Sequence, residues 1–103
     1  MSNILALDQA SRTSGYAVFQ DGRLEACGTF TYDDDDFSLR LVKIRKRVIS
    51  LIEEYNINKI LLEDIQLQGQ TNNVTTYKTL AEVLGVLEEL AKERNIPHEL
   101  VHS

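Results

Sequence analysis

Apolar and polar positions along this chain follow two different periods. The run Ile4-Leu-Ala-Leu7 is continuous and ends in an acid, so Asn3 to Asp8 predicts a buried strand. Gly15 to Gln20 and Leu24 to Tyr32 predict two more strands. Asp21-Gly22 between them suits a two-residue hairpin, so the first three strands form an antiparallel meander. After Asp33–Asp36 the spacing becomes helical: Phe37, Leu41, Ile44, Val48, Leu51, Ile52 and Tyr55 share one face. The aspartate run stands at the amino end of this helix, where it can cap free N–H groups and complement the helix dipole. Lys59-Ile-Leu-Leu-Glu63-Asp64 predicts a short, central, buried strand that also ends in acids. A polar loop over Gln66 to Asn72 leads to a second helix, from about Asn73 to Arg94. Its expected apolar stripe is Tyr77, Leu80, Ala81, Leu84, Leu87 and Ala91, with Gly85 marking a close backbone approach. Pro97 to Val101 predicts a last strand at a sheet edge. Three strands, then helix, strand, helix and strand, make a mixed sheet with crossover helices, an α/β fold.

The 103 residues hold neither repeat nor Pro/Gly/Ser-rich linker, which fits one domain over 1–103. A chain of this size buries about two-thirds of its unfolded surface, enough for a modest core. No apolar run approaches the ~20 residues needed to span a bilayer. The opening Met1-Ser2-Asn3 lacks the basic-then-apolar order of a secretory signal. The single cysteine, Cys27, cannot form an internal disulfide and reads as a small core residue. A cytoplasmic setting is the expectation.

A net charge of −5 argues mildly against nucleic-acid binding, but the distribution tempers the sum. Four of the sixteen acids lie in Asp33–Asp36, and five of the eleven basic residues lie between Arg40 and Arg47. Arg40, Lys43, Lys46 and Arg47 read as a solvated basic helix face. Acids that ligate metal are also neutralised by their ions.

The candidate chemistry rests on Asp8 and Glu63, each at the carboxyl end of an apolar strand. If those strands are parallel neighbours, the carboxylates emerge side by side at the edge where open α/β sheets bind ligands. Such a pair needs a cation or a shared proton, and hard oxygen ligands suit Mg²⁺ or Mn²⁺. Two such ions about 3.5–4 Å apart can activate water and stabilise the leaving oxygen of a phosphodiester. Glu63 and Asp64 are adjacent and so point to opposite faces of a strand. Periodicity does not say which of them joins Asp8, and Asp64 stays a further metal candidate.

The segment from Ile4 through Asp8-Gln-Ala-Ser-Arg-Thr-Ser to Gly15-Tyr-Ala-Val18 resembles the opening of RuvC-type Holliday-junction resolvases. Ile60-Leu-Leu-Glu63-Asp64-Ile65 resembles their second acidic strand, in which the Glu is the metal ligand. The resemblance spans essentially the whole chain. It implies an RNase H-like fold of about five strands and a divalent-metal-dependent endonuclease acting on branched DNA. It further implies a homodimer, with Asp8 and Glu63 as catalytic metal ligands for Mg²⁺ or Mn²⁺. The family completes its cluster with one or two acids on a later helix. None of Glu82, Glu88, Glu89, Glu93 and Glu99 matches that motif, so the expectation is a carboxyl-terminally truncated domain, weakly active or inactive alone. The family often carries an aromatic in the loop after the Glu, where this chain has Gln66, Leu67 and Gln68, which leaves junction selectivity open.

Arg12 and Thr13, in the turn after Asp8, and Gln66, Gln68, Gln70, Thr71 and Asn72, after Glu63, are the candidate nucleic-acid contacts. His98 and His102 share a strand face only distantly, and neither is read as a zinc ligand. Three competing readings stand beside the resolvase: an RNase H-like nuclease for structured RNA, an actin-like or sugar-kinase ATPase, and a non-catalytic dimerisation or nucleic-acid-binding module. The ATPase reading expects a glycine where this chain has Ala10 and needs a longer chain.

Overall fold

Asp36 begins the first helix by accepting hydrogen bonds at Oδ1 from the backbone N–H groups of Ser38 and Leu39 (3.0 and 3.3 Å). This satisfies donors that no earlier helical turn can reach. At the other end Asn56 turns left-handed (φ 51°), and its N–H donates to the Ile52 carbonyl. The computed structural model describes residues 1–65 and 74–102 of the chain. Its elements are β1 (Asn3–Asp8), β2 (Thr13–Gln20), β3 (Arg23–Thr31), α1 (Phe37–Tyr55), β4 (Lys59–Glu63), α2 (Val74–Glu93) and β5 (His98–Val101). The sheet order is β3-β2-β1-β4-β5. β1, β2 and β3 form the expected antiparallel meander, and β4 pairs parallel with both β1 and β5. Asp21 and Gly22 both have positive φ (51° and 83°), as a primed hairpin turn requires. β5, preceded by Pro97, is an edge strand.

Both helices cover the same face of this sheet. Leu5, Leu7, Val18, Phe30, Ile60 and Leu62 from the strands share one core with Ile44, Val48 and Leu51 of α1 and Val83, Leu87 and Leu90 of α2. The opposite face, with Ile4, Ala6, Ala17 and Leu61, carries no helix among the described residues. Cys27 pairs with Ala17 on that face and is exposed, which corrects its reading as a core residue.

Three further expectations are corrected. Tyr77 and Ala81 of α2 are exposed, and burial falls instead on Val83, Leu84, Leu87, Leu90 and Ala91. A helix of 20 residues rises about 30 Å. The flanking strands β4 and β5, of five and four residues, reach about 17 and 13 Å. The first turns of α2 therefore overhang the sheet. Among the described residues nothing lies within 4 Å of a Cβ added at Gly85, so none of their backbones approaches it closely. Arg40 is not part of a solvated face: it is 7% exposed. It precedes Ile44 by one helical turn and so lies on the buried side of α1. There Nε donates to the Ser11 carbonyl (3.0 Å), another guanidinium nitrogen donates to the Asp34 carbonyl, and the group lies over the Phe37 ring.

Candidate metal and nucleic-acid site

Ala6 pairs with Leu61 and Leu7 with Leu62 across the parallel β1–β4 ladder. One residue further on, Asp8 and Glu63 end their strands. Alternation puts both on the open face, two residues beyond Ala6 and Leu61. The register therefore sets the two carboxylates at adjacent strand ends on one face, away from the helices. Asp8 is exposed and Glu63 half-buried. A shallow groove beside Asp8 is lined by Ala6, Gly15, Ala17, Cys27 and Thr29. A second beside Glu63 is lined by Ala6, Leu61 and Val101. Gly15 pairs with Asp8, so no side chain crowds it from β2.

Asp64 goes the other way. Its Oδ1 accepts a hydrogen bond from the Ile65 N–H (2.9 Å), and its Oδ2 stands 3.6 Å from Nδ1 of the exposed His102. The same alternation that puts Glu63 on the face of Asp8 turns Asp64 from it.

The turn after Asp8 is tightly held. The buried Ser14 hydroxyl accepts from the Ala10 N–H (3.0 Å) and donates to the Ala10 carbonyl (3.1 Å). Arg12 is exposed at the tip of this turn, and its carbonyl accepts from the Tyr32 N–H. The Thr13 hydroxyl shares a hydrogen bond with that of Thr31 (2.9 Å). Gln66, Gln68, Gln70, Thr71 and Asn72 lie outside the described residues.

The basic residues of α1 are mostly engaged within the chain. Lys43 pairs with Asp34 (2.9 Å), Arg45 with Glu93 (2.6 Å), and Arg47 lies over the Tyr16 ring. The Lys43 ammonium beside Asp34 holds its carboxyl below the usual carboxylate value. His98 Nε2 lies 3.2 Å from Glu88 Oε2, at the amino end of β5 and so at the opposite end of the parallel strands from Asp8.

One residue of this region has no counterpart among the expectations. Gln9 is 8% exposed. Its Oε1 accepts from the Glu63 backbone N–H (3.1 Å), and its Nε2 donates to the Glu63 carbonyl (2.6 Å). The partners lie 54 residues apart in the chain, so no local spacing signals the contact.

Among the described residues no cluster of three or more His, Cys, Asp and Glu side chains gathers. Two carboxylates of hard oxygen donors still fit Mg²⁺ or Mn²⁺. Mg²⁺ is commonly held by one or two carboxylates, with water and substrate phosphates completing its shell.

A five-stranded mixed sheet in the order 3-2-1-4-5, with its crossover helices on one face, is an RNase H-like fold. Within that class the chain is similar to solved RuvC Holliday-junction resolvases. Thermus thermophilus RuvC, in complex with a Holliday-junction substrate, aligns at a TM-score of 0.84 with 14% identity, over 99% of this chain and 65% of that one. The yeast mitochondrial Holliday-junction resolvase Ydc2 aligns at 0.66 with 18% identity, over 98% of this chain and 50% of that one. A Bacteroides thetaiotaomicron protein of unknown function with an actin-like ATPase fold aligns at 0.55 with 9% identity, over 94% and 32%. The chain thus spans just under two-thirds of the length of the Thermus resolvase and half that of the yeast one. No protein-family model and no curated protein matches the sequence.

Proposed function

We propose that this chain is part of a divalent-metal-dependent endodeoxyribonuclease that acts on branched DNA. The observation that carries the reading is the parallel β1–β4 register, which brings Asp8 and Glu63 abreast at the carboxyl edge of an RNase H-like sheet. The greater likeness to two junction resolvases than to the actin-like protein favours nuclease over ATPase chemistry.

In this reading Asp8 and Glu63 hold Mg²⁺ or Mn²⁺ between them. The bound cation supplies Lewis acidity, which makes water a better nucleophile and offsets charge on the phosphodiester. The two carboxylates orient that charge toward the open face, where a nucleic-acid backbone has access. Arg12, exposed at the neighbouring turn, offers a guanidinium to phosphate. Thr13, Gln66, Gln68, Gln70, Thr71 and Asn72 are the further proposed contacts, and a cytoplasmic homodimer is the proposed setting. Among the described residues no helix is long and apolar enough to cross a membrane.

The test is a Mn²⁺ titration by calorimetry on the chain and on an Asp8→Asn/Glu63→Gln variant, paired with gel shifts on a four-way DNA junction and a linear duplex. The expected result is saturable Mn²⁺ binding that the variant loses, with the junction retained over the duplex. Binding unchanged in the variant would remove Asp8 and Glu63 from the metal site. Equal retention of both DNAs would remove the branched-DNA preference.

A further inference from the structure

We infer that Gln9 is a positioning residue for the candidate metal site: its side-chain amide replaces a missing rung of the sheet and sets where Glu63 stands relative to Asp8. The inference rests on the reading of Asp8 and Glu63 as metal ligands.

The N–H of Asp64 donates to the Val101 carbonyl on β5. Peptide groups alternate along a strand, so the N–H and C=O of Glu63 point the opposite way, toward β1. The backbone of β1 cannot serve them, because the β1–β4 ladder ends at Leu7 and Leu62 and the chain then turns away toward β2. Two partly buried polar groups would lose their partner at the strand end that carries the ligand. Each such loss costs about 1–3 kcal/mol.

The Gln9 carboxamide meets both. It offers an acceptor to the Glu63 N–H and a donor to the Glu63 C=O, as a peptide group of an extended β1 would. Only this side chain has the chemistry and the length. Glutamate lacks the donor, asparagine is a methylene short, and methionine has the length with neither group. The position matters as much as the chemistry. Gln9 directly follows Asp8 and is nearly buried, while Asp8 ends β1 exposed on the open face. One dipeptide thus supplies a carboxylate to the site and holds the strand end that supplies the other. Near-burial of Gln9 keeps water from competing for these bonds. Partners that orient metal ligands are commonly worth 10–100-fold in metal affinity, and that is the range expected here.

The test is a double-mutant cycle read by Mn²⁺ calorimetry on the whole chain: wild type, Gln9→Met, Glu63→Gln and the pair combined. Amide hydrogen exchange at Glu63 is followed in parallel. Gln9→Met is expected to weaken Mn²⁺ binding by about 10–100-fold and to speed exchange of the Glu63 N–H relative to that of Leu61. In the Glu63→Gln background it is expected to cause no further loss, because Gln9 acts only through Glu63. An equal loss in both backgrounds would show a general structural role and overturn the inference, as would wild-type affinity in Gln9→Met. Should Gln9→Met not fold, Gln9→Asn carries the same cycle. A wild-type chain that binds no Mn²⁺ would sink the metal reading itself and this inference with it, whereas wild-type binding with an unaffected Gln9→Met sinks the role of Gln9 alone.

Discussion

The Tyr16 ring lies directly across Gly28: a Cβ added to that glycine would meet the phenol oxygen at 3.0 Å and two ring carbons at 3.1 Å. The two residues are register partners on β2 and β3, on the helix-covered face. Tyr16 also stacks near Phe30 (centroids 6.4 Å apart) and under Arg47. The ring therefore has little room to give. Gly28→Val is expected to destabilise the chain by about 1–3 kcal/mol through overcrowding, read as a lowered urea midpoint. Trimming the ring with Tyr16→Leu in the same chain should recover part of that loss. A Gly28→Val chain as stable as wild type would show that the ring moves freely.

Arg40 predicts a contrast within one helix. Arg40→Met leaves the Ser11 and Asp34 carbonyls without their donor and is expected to cost about 1–3 kcal/mol. Lys46→Met, at an exposed position of α1, is expected to stay within about 0.5 kcal/mol of wild type. Equal urea midpoints for the two variants would contradict the anchoring role of Arg40.

The Lys43–Asp34 pair predicts a pH dependence with a definite sign. Hydrogen bonding to Lys43 keeps the folded Asp34 carboxyl below its ordinary value of 3.8. A depressed folded value means that the contribution is fully present above the ordinary value and is lost as pH falls through the lower folded one. The stability difference between wild type and Asp34→Asn should hold steady from neutral pH to about the ordinary carboxylate range and shrink below it. Both side chains are partly exposed, so added salt should narrow the difference at neutral pH. A difference that grows in acid would reverse the assignment.

Metal binding at Asp8 and Glu63 predicts a linked stability. A cation that binds only the folded chain adds about 2.7 kcal/mol at 100 times its dissociation constant. Mn²⁺ should therefore raise the melting temperature of the wild-type chain, and a chelator should return it. Asp8→Asn should be insensitive to both. An equal rise in Asp8→Asn would place the cation elsewhere.

The order of the elements was readable because each carries its own period: unbroken apolar runs for β1 and β4, a helical stripe from Phe37 to Tyr55, and Asp21-Gly22 at the hairpin. The acids at the two strand ends were readable for the same reason. What escaped depends on contacts between distant segments. Whether Glu63 or Asp64 shares the face of Asp8 follows from the β1–β4 register, which neither strand states alone. Cys27 looked interior because its strand is half apolar, yet which face the helices cover is decided by the fold as a whole. Arg40 looked solvated because a charge normally is, and its two carbonyl partners lie in separate segments, the β1–β2 turn and the β3–α1 loop. Gln9 gave no signal, since an amide that completes a sheet looks like any polar residue after a strand.

The parallel pairing of β1 with β4 also orders events in time. The meander closes through turns of a few residues, whereas Leu7 and Leu62 meet only after the whole of α1 has been laid down between them. Pairings between such remote segments form late, because the loop entropy must be met before the contact rewards it. Until then Asp8 stands alone at the end of a hairpin, with no second carboxylate beside it. A nascent chain, or one that has lost only the β1–β4 seam, therefore has no two-carboxylate centre, and the chemistry proposed for it begins only when the sheet has joined its two halves.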